Sequence, residues 1–251
     1  EQSGVRVGIY ACAEHEFAIA TENTPGANPF DPLESLDHIH DLRDLCDYII
    51  VLYHGGKEHY RYPSPYLQKV CRKMVEKGAN LVVCQHSHCV GCLEDYEGST
   101  IIYGQGNFIF DGADNEFWNS SLLVKVIITD TMQIDYVPIV KEGSSIRLAT
   151  GSVAKEILLG FDSRSKKILE EGFIEKSYRE FAKKSMTNYL RSFSGIGKWL
   201  SRIDRYLLKG SVLKHKYDQQ QLLAIRNYIE CEAHRELVLA GLKGETASGR
   251  Q

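Results

Sequence analysis

Two short apolar runs, each followed closely by histidine, constrain this chain more than any other feature. Ile49-Ile50-Val51-Leu52-Tyr53 leads into His54, and Leu81-Val82-Val83-Cys84 leads through Gln85 into His86 and His88. Runs this short and this apolar read as strands buried on both faces. Between them, Ser64 is placed to cap a helix and Pro65 to open it. Leu67, Val70, Cys71, Met74 and Val75 follow the spacing of one buried helix face, and Gly78 ends it. Strand, helix and strand joined by short links predict a right-handed parallel βαβ unit. In open α/β sheets, ligands gather beyond the carboxyl ends of the strands. His54, His86 and His88, three of the nine histidines, emerge at that edge. With an extended backbone through Ser87, His86 and His88 point the same way. Imidazoles from neighbouring strands can converge on a metal ion.

The rest of the first 160 residues reads as more of the same layer. Val5 to Tyr10 has the pattern of a first strand, and 21–29 is rich in breakers and reads as a surface loop. Residues 33–47 read as a helix with Leu36, Ile39, Leu42, Leu45 and Cys46 as its buried stripe. His38 and His40 lie two apart on that helix and diverge. A hairpin is expected from 91–96 and 99–103 about Glu97-Gly98, after which Gly104 and Gly106 let the backbone bend around Gln105. Phe108-Ile109-Phe110 is expected to re-enter the core. Residues 121–129 and 133–140 form an antiparallel pair about Asp130-Thr131. This gives five to seven strands with two helices. From Ser152 the pattern turns helical, with helices expected at 153–159, 166–171, 174–193, 197–209 and 219–242. Gly195-Ile196-Gly197 follows no strand and reads as a hinge, and the small polar tail 244–251 reads as disordered.

Charge divides the chain in the same place. Residues 1–161 carry 12 Lys and Arg against 22 Asp and Glu, and 162–251 carry 18 against 11. The boundary is placed near Gly160: 1–160 one domain, 161–243 a basic helical appendage, 244–251 a tail. The basic residues are spread along helix faces, so an acidic domain beside a basic appendage is preferred to a nucleic-acid partner. No apolar run approaches the ~20 residues of a membrane span. Seven cysteines is an odd number, and Cys46 and Cys71 fall at core positions of helices, a usage that points to a reducing, cytoplasmic compartment.

Four motifs occur in order: His54-Gly55-Gly56-Lys57-Glu58, Tyr62-Pro63-Ser64-Pro65-Tyr66, His86-Ser87-His88, and Gly106-Asn107-Phe108-Ile109-Phe110-Asp111. Together they resemble the bacterial capsule-biosynthesis (CapA, poly-γ-glutamate) family, which is related to the calcineurin-like metallophosphoesterases. The likeness runs from about Gly4 to about Val140 and corresponds to the second half of that family's domain. Two departures stand out. Gly55 occupies the place where the family has Trp after its first histidine, and Cys84-Gln85 stands where it has Gly-His. The resemblance implies an α/β fold, half of a metallophosphoesterase-like β-sandwich flanked by helices. It implies a pair of divalent ions (Mn, Fe or Zn) with His54, His86 and His88 among the ligands. Glu58 and Asn107 are implied to touch substrate or orient a ligand. For Glu58 a solvated rim charge, and for Asn107 a turn that satisfies its own backbone, are the competing readings. His15, His59, His215 and His234 receive no role. Association with the cell membrane in the intact protein is implied as the alternative to a cytoplasmic location.

Three neutral imidazoles cannot neutralise two divalent ions, and such a site wants carboxylates, one of them bridging. In the superfamily these come from a Gly-Asp segment and an Asn-His pair, and neither dipeptide occurs in this chain. The missing ligands are therefore expected upstream of Glu1 or on a partner chain, with a phosphoester or capsule polymer as substrate. Two other readings stay open. Cys84, His86, His88, Cys89 and Cys92 crowd within nine positions and could form a closed structural zinc site. A non-catalytic module in capsule assembly, pairing through an exposed strand edge, is the other.

Overall fold

The computed structural model describes residues 4–15, 18–109, 115 and 117–248, with side chains described as far as residue 244. The expected βαβ unit forms. β2 (Tyr48–His54) and β3 (Leu81–Cys84) pair in parallel with Tyr53 opposite Cys84, and α2 (Pro65–Glu76) joins them. Pro65 opens α2, and the Ser64 side chain accepts from the Leu67 amide at 3.0 Å. β1 (Val7–Ala13) lies parallel on the other side of β2, with Ala13 opposite His54. β5 (Ser99–Ile102) pairs in parallel with β3, and β4 (Leu93–Tyr96) pairs antiparallel with β5. The turn between β4 and β5 has positive φ at both Glu97 (48°) and Gly98 (79°), the geometry that matches the twist of a tight hairpin. The sheet order is β1-β2-β3-β5-β4.

Both faces of this sheet are covered, which explains why β2 and β3 are so apolar. Ile49, Val51, Tyr53, Val82 and Cys84 face one core, shared with the α2 stripe and with Ile39 of α1 (Ser35–Asp41). Ile50, Leu52, Leu81 and Val83 alternate to the other face and join a second core. That core is closed by a three-stranded antiparallel sheet, β6 (Ser120–Ile128), β7 (Met132–Glu142) and β8 (Ser145–Leu148). α3 (Gly151–Lys167) adds Ile157 and Phe161 to it. The architecture is thus an α/β sandwich of two sheets flanked by helices.

One polar group is locked into the first core. Glu94 of β4 is 3% exposed. It accepts from the Tyr103 hydroxyl at 2.6 Å and from Arg72 Nε at 2.9 Å, with Arg72 Nη2 and Gln68 Nε2 as further donors. A buried carboxylate is tolerated only with such a set of donors. The network ties α2 to the β4–β5 hairpin.

Several elements depart from expectation. The helix expected over 33–47 is α1 followed by a single 3₁₀ turn, Leu42–Asp44, and Leu33 and Leu45 are exposed. The chain must reach β2 within three residues, and the tighter turn achieves this. Phe108 and Ile109 are exposed instead of re-entering the core, and Phe110 and Asp111 lie outside the described residues. β8 was not anticipated. The helix expected at 153–159 lies within α3, which runs unbroken from Gly151 to Lys167; of the one expected at 166–171 only Lys166 and Lys167 are helical, as the end of α3, and 168–171 form turns. The helix expected over 219–242 is broken at Cys231, whose ψ of 117° is not helical.

The chain divides into two compact units, Glu1–Arg179 and Glu180–Gln251. The charge change near Gly160 falls inside α3, within the first. α4 (Phe173–Phe193) begins in the first unit and ends in the second, followed by α5 (Lys198–Tyr206), α6 (Ser211–Lys216), α7 (Gln219–Glu230) and α8 (Glu232–Ser248). α7 opens with a capping box between Asp218 and Gln221. Of the tail expected to be disordered, residues as far as Ser248 continue α8, and 249–251 lie outside the described residues.

The Glu94 network yields a stability prediction. Arg72→Ala leaves the buried carboxylate short of its charged partner and costs about 2 kcal/mol, below the value for a fully buried pair because Arg72 is itself part-exposed. A urea denaturation midpoint unchanged by this substitution is the contrary result.

Candidate functional site

The parallel register places the carboxyl ends of β1, β2 and β3 together, and three imidazoles meet there. His54 is the last residue of β2. His86 lies two residues past β3 and is 7% exposed. The ring centroids of His54 and His86 are 4.8 Å apart, those of His86 and His88 5.7 Å, and those of His54 and His88 6.4 Å. His86 Nδ1 and His54 Nε2 are 2.9 Å apart and share one proton. His88 arrives by a different route from the one the sequence implied. The backbone turns at His86 and Ser87 instead of staying extended, and His88 adopts a positive φ of 53°. That left-handed conformation is uncommon outside glycine. It swings the His88 ring back toward its partners.

Asn107 holds His88 in place. Its Oδ1 accepts from His88 Nδ1 at 2.7 Å, and its Nδ2 donates to the His88 carbonyl at 3.4 Å. The two contacts fix the amide orientation and put the ring proton on Nδ1, so the Nε2 lone pair is free of that proton. Asn107 reaches this position from the bend at Gly104 and Gly106. At Gly104, with φ of 135°, a Cβ would meet Ser87 Oγ at 2.5 Å, so the bend requires glycine. Gly55, at the position where the resemblance expects Trp, is also constrained. A Cβ there would meet the Tyr53 ring at 2.6 Å.

Several residues that the sequence left without a role complete the surroundings. Trp118 stacks on His88 (centroids 6.0 Å, planes 20° apart), and its indole N–H donates to His59 Nε2 at 3.0 Å. His59 stacks on Phe117, and Arg61 lies over the same ring at 4.8 Å. His59 also donates its backbone N–H to the Ser87 carbonyl at 2.8 Å, linking the loop after β2 to the turn after β3. Glu14, just past β1, accepts at one carboxylate oxygen from the Tyr53 hydroxyl and the Gly56 amide, both at 3.3 Å. It lines a cavity of about 550 Å³ together with His54, Gln85, Cys12, Ile19 and Asn28. The strand-end rule that found His54 also applies to Glu14, one residue beyond Ala13; Trp118 carries no such signal, because only the tertiary fold brings it across.

Glu58 sits at the rim, half exposed. Lys57 Nζ donates to it at 3.1 Å and, with smaller contributions from His86 and His88, holds its carboxyl below the usual range. The thiols turn the other way. Cys84 Sγ lies 3.5 Å from Cys71 Sγ inside the first core, and Cys89 and Cys92 are fully buried. Burial pushes Cys12 up to about 12, and pushes Cys71 and Cys92 well upward too; of these three only Cys92 belongs to the expected zinc set.

Among the described residues, no three His, Cys, Asp or Glu side chains stand as a ready ligand shell. The donor chemistry nonetheless fits in part. Two nitrogens bound to one ion at about 2.0–2.1 Å are separated by roughly 2.9 Å at right angles and 3.4 Å in a tetrahedron. The His54–His86 spacing of 2.9 Å lies in that range. The charge does not balance on imidazoles alone, and among the described residues Glu14 and Glu58 offer nearby carboxylates.

The structure is an α/β sandwich with an imidazole cluster at the carboxyl edge of its parallel strands, the edge at which open α/β sheets in general bind their ligands. Residues 1–112 match the family described as bacterial capsule synthesis protein PGA_cap. The chain is 35% identical over 92 residues to the PGA biosynthesis protein CapA of Bacillus subtilis (strain 168), covering 37% of this chain and 24% of that protein. It is 33% identical over 154 residues to the capsule biosynthesis protein CapA of Bacillus anthracis, covering 57% of this chain and 36% of that one. The chain thus spans about a quarter to a third of the length of these relatives. A Staphylococcus aureus chain provisionally named a 5′-nucleotidase, solved with alpha-ketoglutarate, superposes with a TM-score of 0.37 at 13% identity. It covers 64% of this chain and 32% of its own length, and a likeness this loose carries no argument.

Two outcomes follow from this geometry. Asn107→Ala removes the acceptor at His88 Nδ1, so ¹⁵N spectra of the ring should change from a single Nδ1–H tautomer to a mixture; an unaltered tautomer means Asn107 does not orient the ring. Lys57→Ala should raise the Glu58 titration toward the ordinary carboxylate range. Because the folded value is depressed, the small stabilisation it brings is present above the unfolded value and is lost as pH falls through the folded one. Carbon-detected NMR titration of Glu58 reads this directly.

Proposed function

We propose that this chain carries the imidazole-rich part of a divalent-metal-dependent phosphoester hydrolysis site in a capsule-synthesis protein, of the poly-γ-glutamate type that the resemblance of its motifs implies. The observation that carries the reading is the convergence of His54, His86 and His88 at one sheet edge with His88 oriented by Asn107. A pair of divalent ions, of Mn, Fe or Zn, bound there would supply Lewis acidity and an activated water. His54 Nε2, His86 Nδ1 and His88 Nε2 are the nitrogens that would hold them. Asn107 fixes the His88 lone pair for that task, the orienting role that ligand histidines usually require. Trp118 covers one face of His88 and limits water there. Glu58, kept ionised by Lys57, would touch the substrate at the rim, accepting a hydrogen bond from a substrate hydroxyl, or orient a ligand. Glu14 supplies negative charge from the β1 side. The remaining carboxylates would come from parts of the longer protein outside these residues, or from a partner chain, so this chain by itself is a weak metal binder with little turnover.

A second reading, a non-catalytic assembly module, draws support from β1. It is an edge strand of the five-stranded sheet, and Val7 and Ile9 are exposed along it. A closed zinc site of Cys84, His86, His88, Cys89 and Cys92 has less support, because Cys84 and Cys92 pack in the first core, with Cys84 Sγ against Cys71, while His86 lies beside His54.

Mn²⁺ titration of this chain, followed through its imidazole resonances, tests the site. The expected result is joint broadening of His54, His86 and His88 that does not saturate at micromolar metal and is lost in His86→Ala. In the longer protein, Mn²⁺-dependent hydrolysis of p-nitrophenyl phosphate should fall with the same substitution. Rings untouched by Mn²⁺, or turnover indifferent to His86→Ala, overturn the reading.

A further inference from the structure

We propose that α5 is a membrane-interface helix whose partner is the surface of an anionic phospholipid bilayer. The helix is amphipathic, but it rests on its unit by the wrong side for a core helix. Among its residues Asp204 is the buried one, at 1% exposure. Its Oδ1 accepts from the Val212 amide at 2.9 Å, and Arg191 Nη2 stands 3.7 Å from its Oδ2. Its apolar side is turned outward. Trp199 is 79% exposed, Tyr206 74% and Leu207 75%, with Leu200 and Ile203 also exposed. Trp199, Ile203 and Tyr206 follow one another at four and three residues, which makes a continuous stripe, and Leu200 and Leu207 lie beside it.

The charges beside that stripe select the partner. Lys198, Arg202 and Arg205 repeat at the same spacing, so they form a second stripe, and Lys209 follows just past the helix end. The one acid in the helix, Asp204, is turned inward. The exposed apolar faces of α7 and α8 in this unit are different. On α7, Leu222, Leu223 and Ile229 lie with Arg226 and Glu230, which pair at 2.9 Å. On α8, Leu237, Val238 and Leu239 lie among Glu232, Arg235 and Glu236. Mixed signs are neutral toward a charged surface. A stripe of cations flanking exposed Trp, Tyr, Leu and Ile matches the headgroup and acyl boundary of an anionic bilayer. None of the described helices is long and apolar enough to cross a membrane, so the contact lies along the surface.

The test is flotation of the full 251-residue chain with vesicles of phosphatidylcholine alone or mixed equally with phosphatidylglycerol. The chain should float with the mixed vesicles, be released by high salt, and show a blue-shifted tryptophan emission that Trp199→Ser lacks. Lys198→Gln, Arg202→Gln and Arg205→Gln combined should lower partitioning about a hundredfold. Trp199→Ser with Leu207→Ser should lower it about tenfold. All the substituted side chains are exposed, so circular dichroism should show the helix content kept in both variants. Equal partitioning onto neutral vesicles, or no flotation with anionic ones, overturns the proposal. So does a dimer in analytical ultracentrifugation that Trp199→Ser dissociates, since a second copy of the chain would then be the occupant.

Discussion

Parallel pairing of β2 with β3 is the constraint on which the site rests. Parallel strands must run in the same direction, so whatever follows each of them emerges on one edge. His54 and His86, 32 residues apart in sequence, become hydrogen-bonded neighbours because Tyr53 pairs with Cys84. β1 enters the same register, with Ala13 opposite His54, and so delivers Glu14 to the same edge. An antiparallel arrangement of these strands would send successive loops to opposite ends and scatter the cluster.

The sheet can hold that register because both of its faces are buried. A one-residue slip of β2 would carry Ile49, Val51 and Tyr53 to the face where Ile50 and Leu52 now pack, in a core of different shape. The Glu94 network adds a directional restraint. Its donors come from α2 and from Tyr103, so helix and hairpin cannot shift independently without leaving a buried carboxylate short of partners. Rigid support of this kind lets a left-handed His88 and a tight Gly104 bend persist beside the imidazoles, since local strain survives where the surroundings over-determine it.

The two units differ in how they use apolar surface. In the first, strand and helix faces are matched, and most large apolar side chains of β2, β3 and α2 lie inside, Tyr66 excepted. In the second, much of the apolar area of α5, α7 and α8 is exposed. Exposed apolar area of that extent calls for a partner. The distribution of charge beside each face then separates what the partner can be, because only a single-sign stripe discriminates for a charged surface.

The βαβ unit, the α2 face, the Ser64 cap, the Glu97-Gly98 turn and the clustering of His54, His86 and His88 were legible in the sequence. Each depends on local rules: strand length, helical spacing, cap chemistry and the placement of residues at strand ends. What the sequence could not reveal depends on contacts between distant segments. The turn through Ser87, the Asn107 hold on His88, the Trp118 stack and the approach of Glu14 each require a partner 19 to 42 residues away, or a backbone conformation that only packing enforces. The exposure of Phe108 and Ile109, and the outward apolar face of α5, were hidden for the same reason. An apolar residue shows in the sequence that burial is favourable, but only the assembled fold decides whether anything is there to bury it.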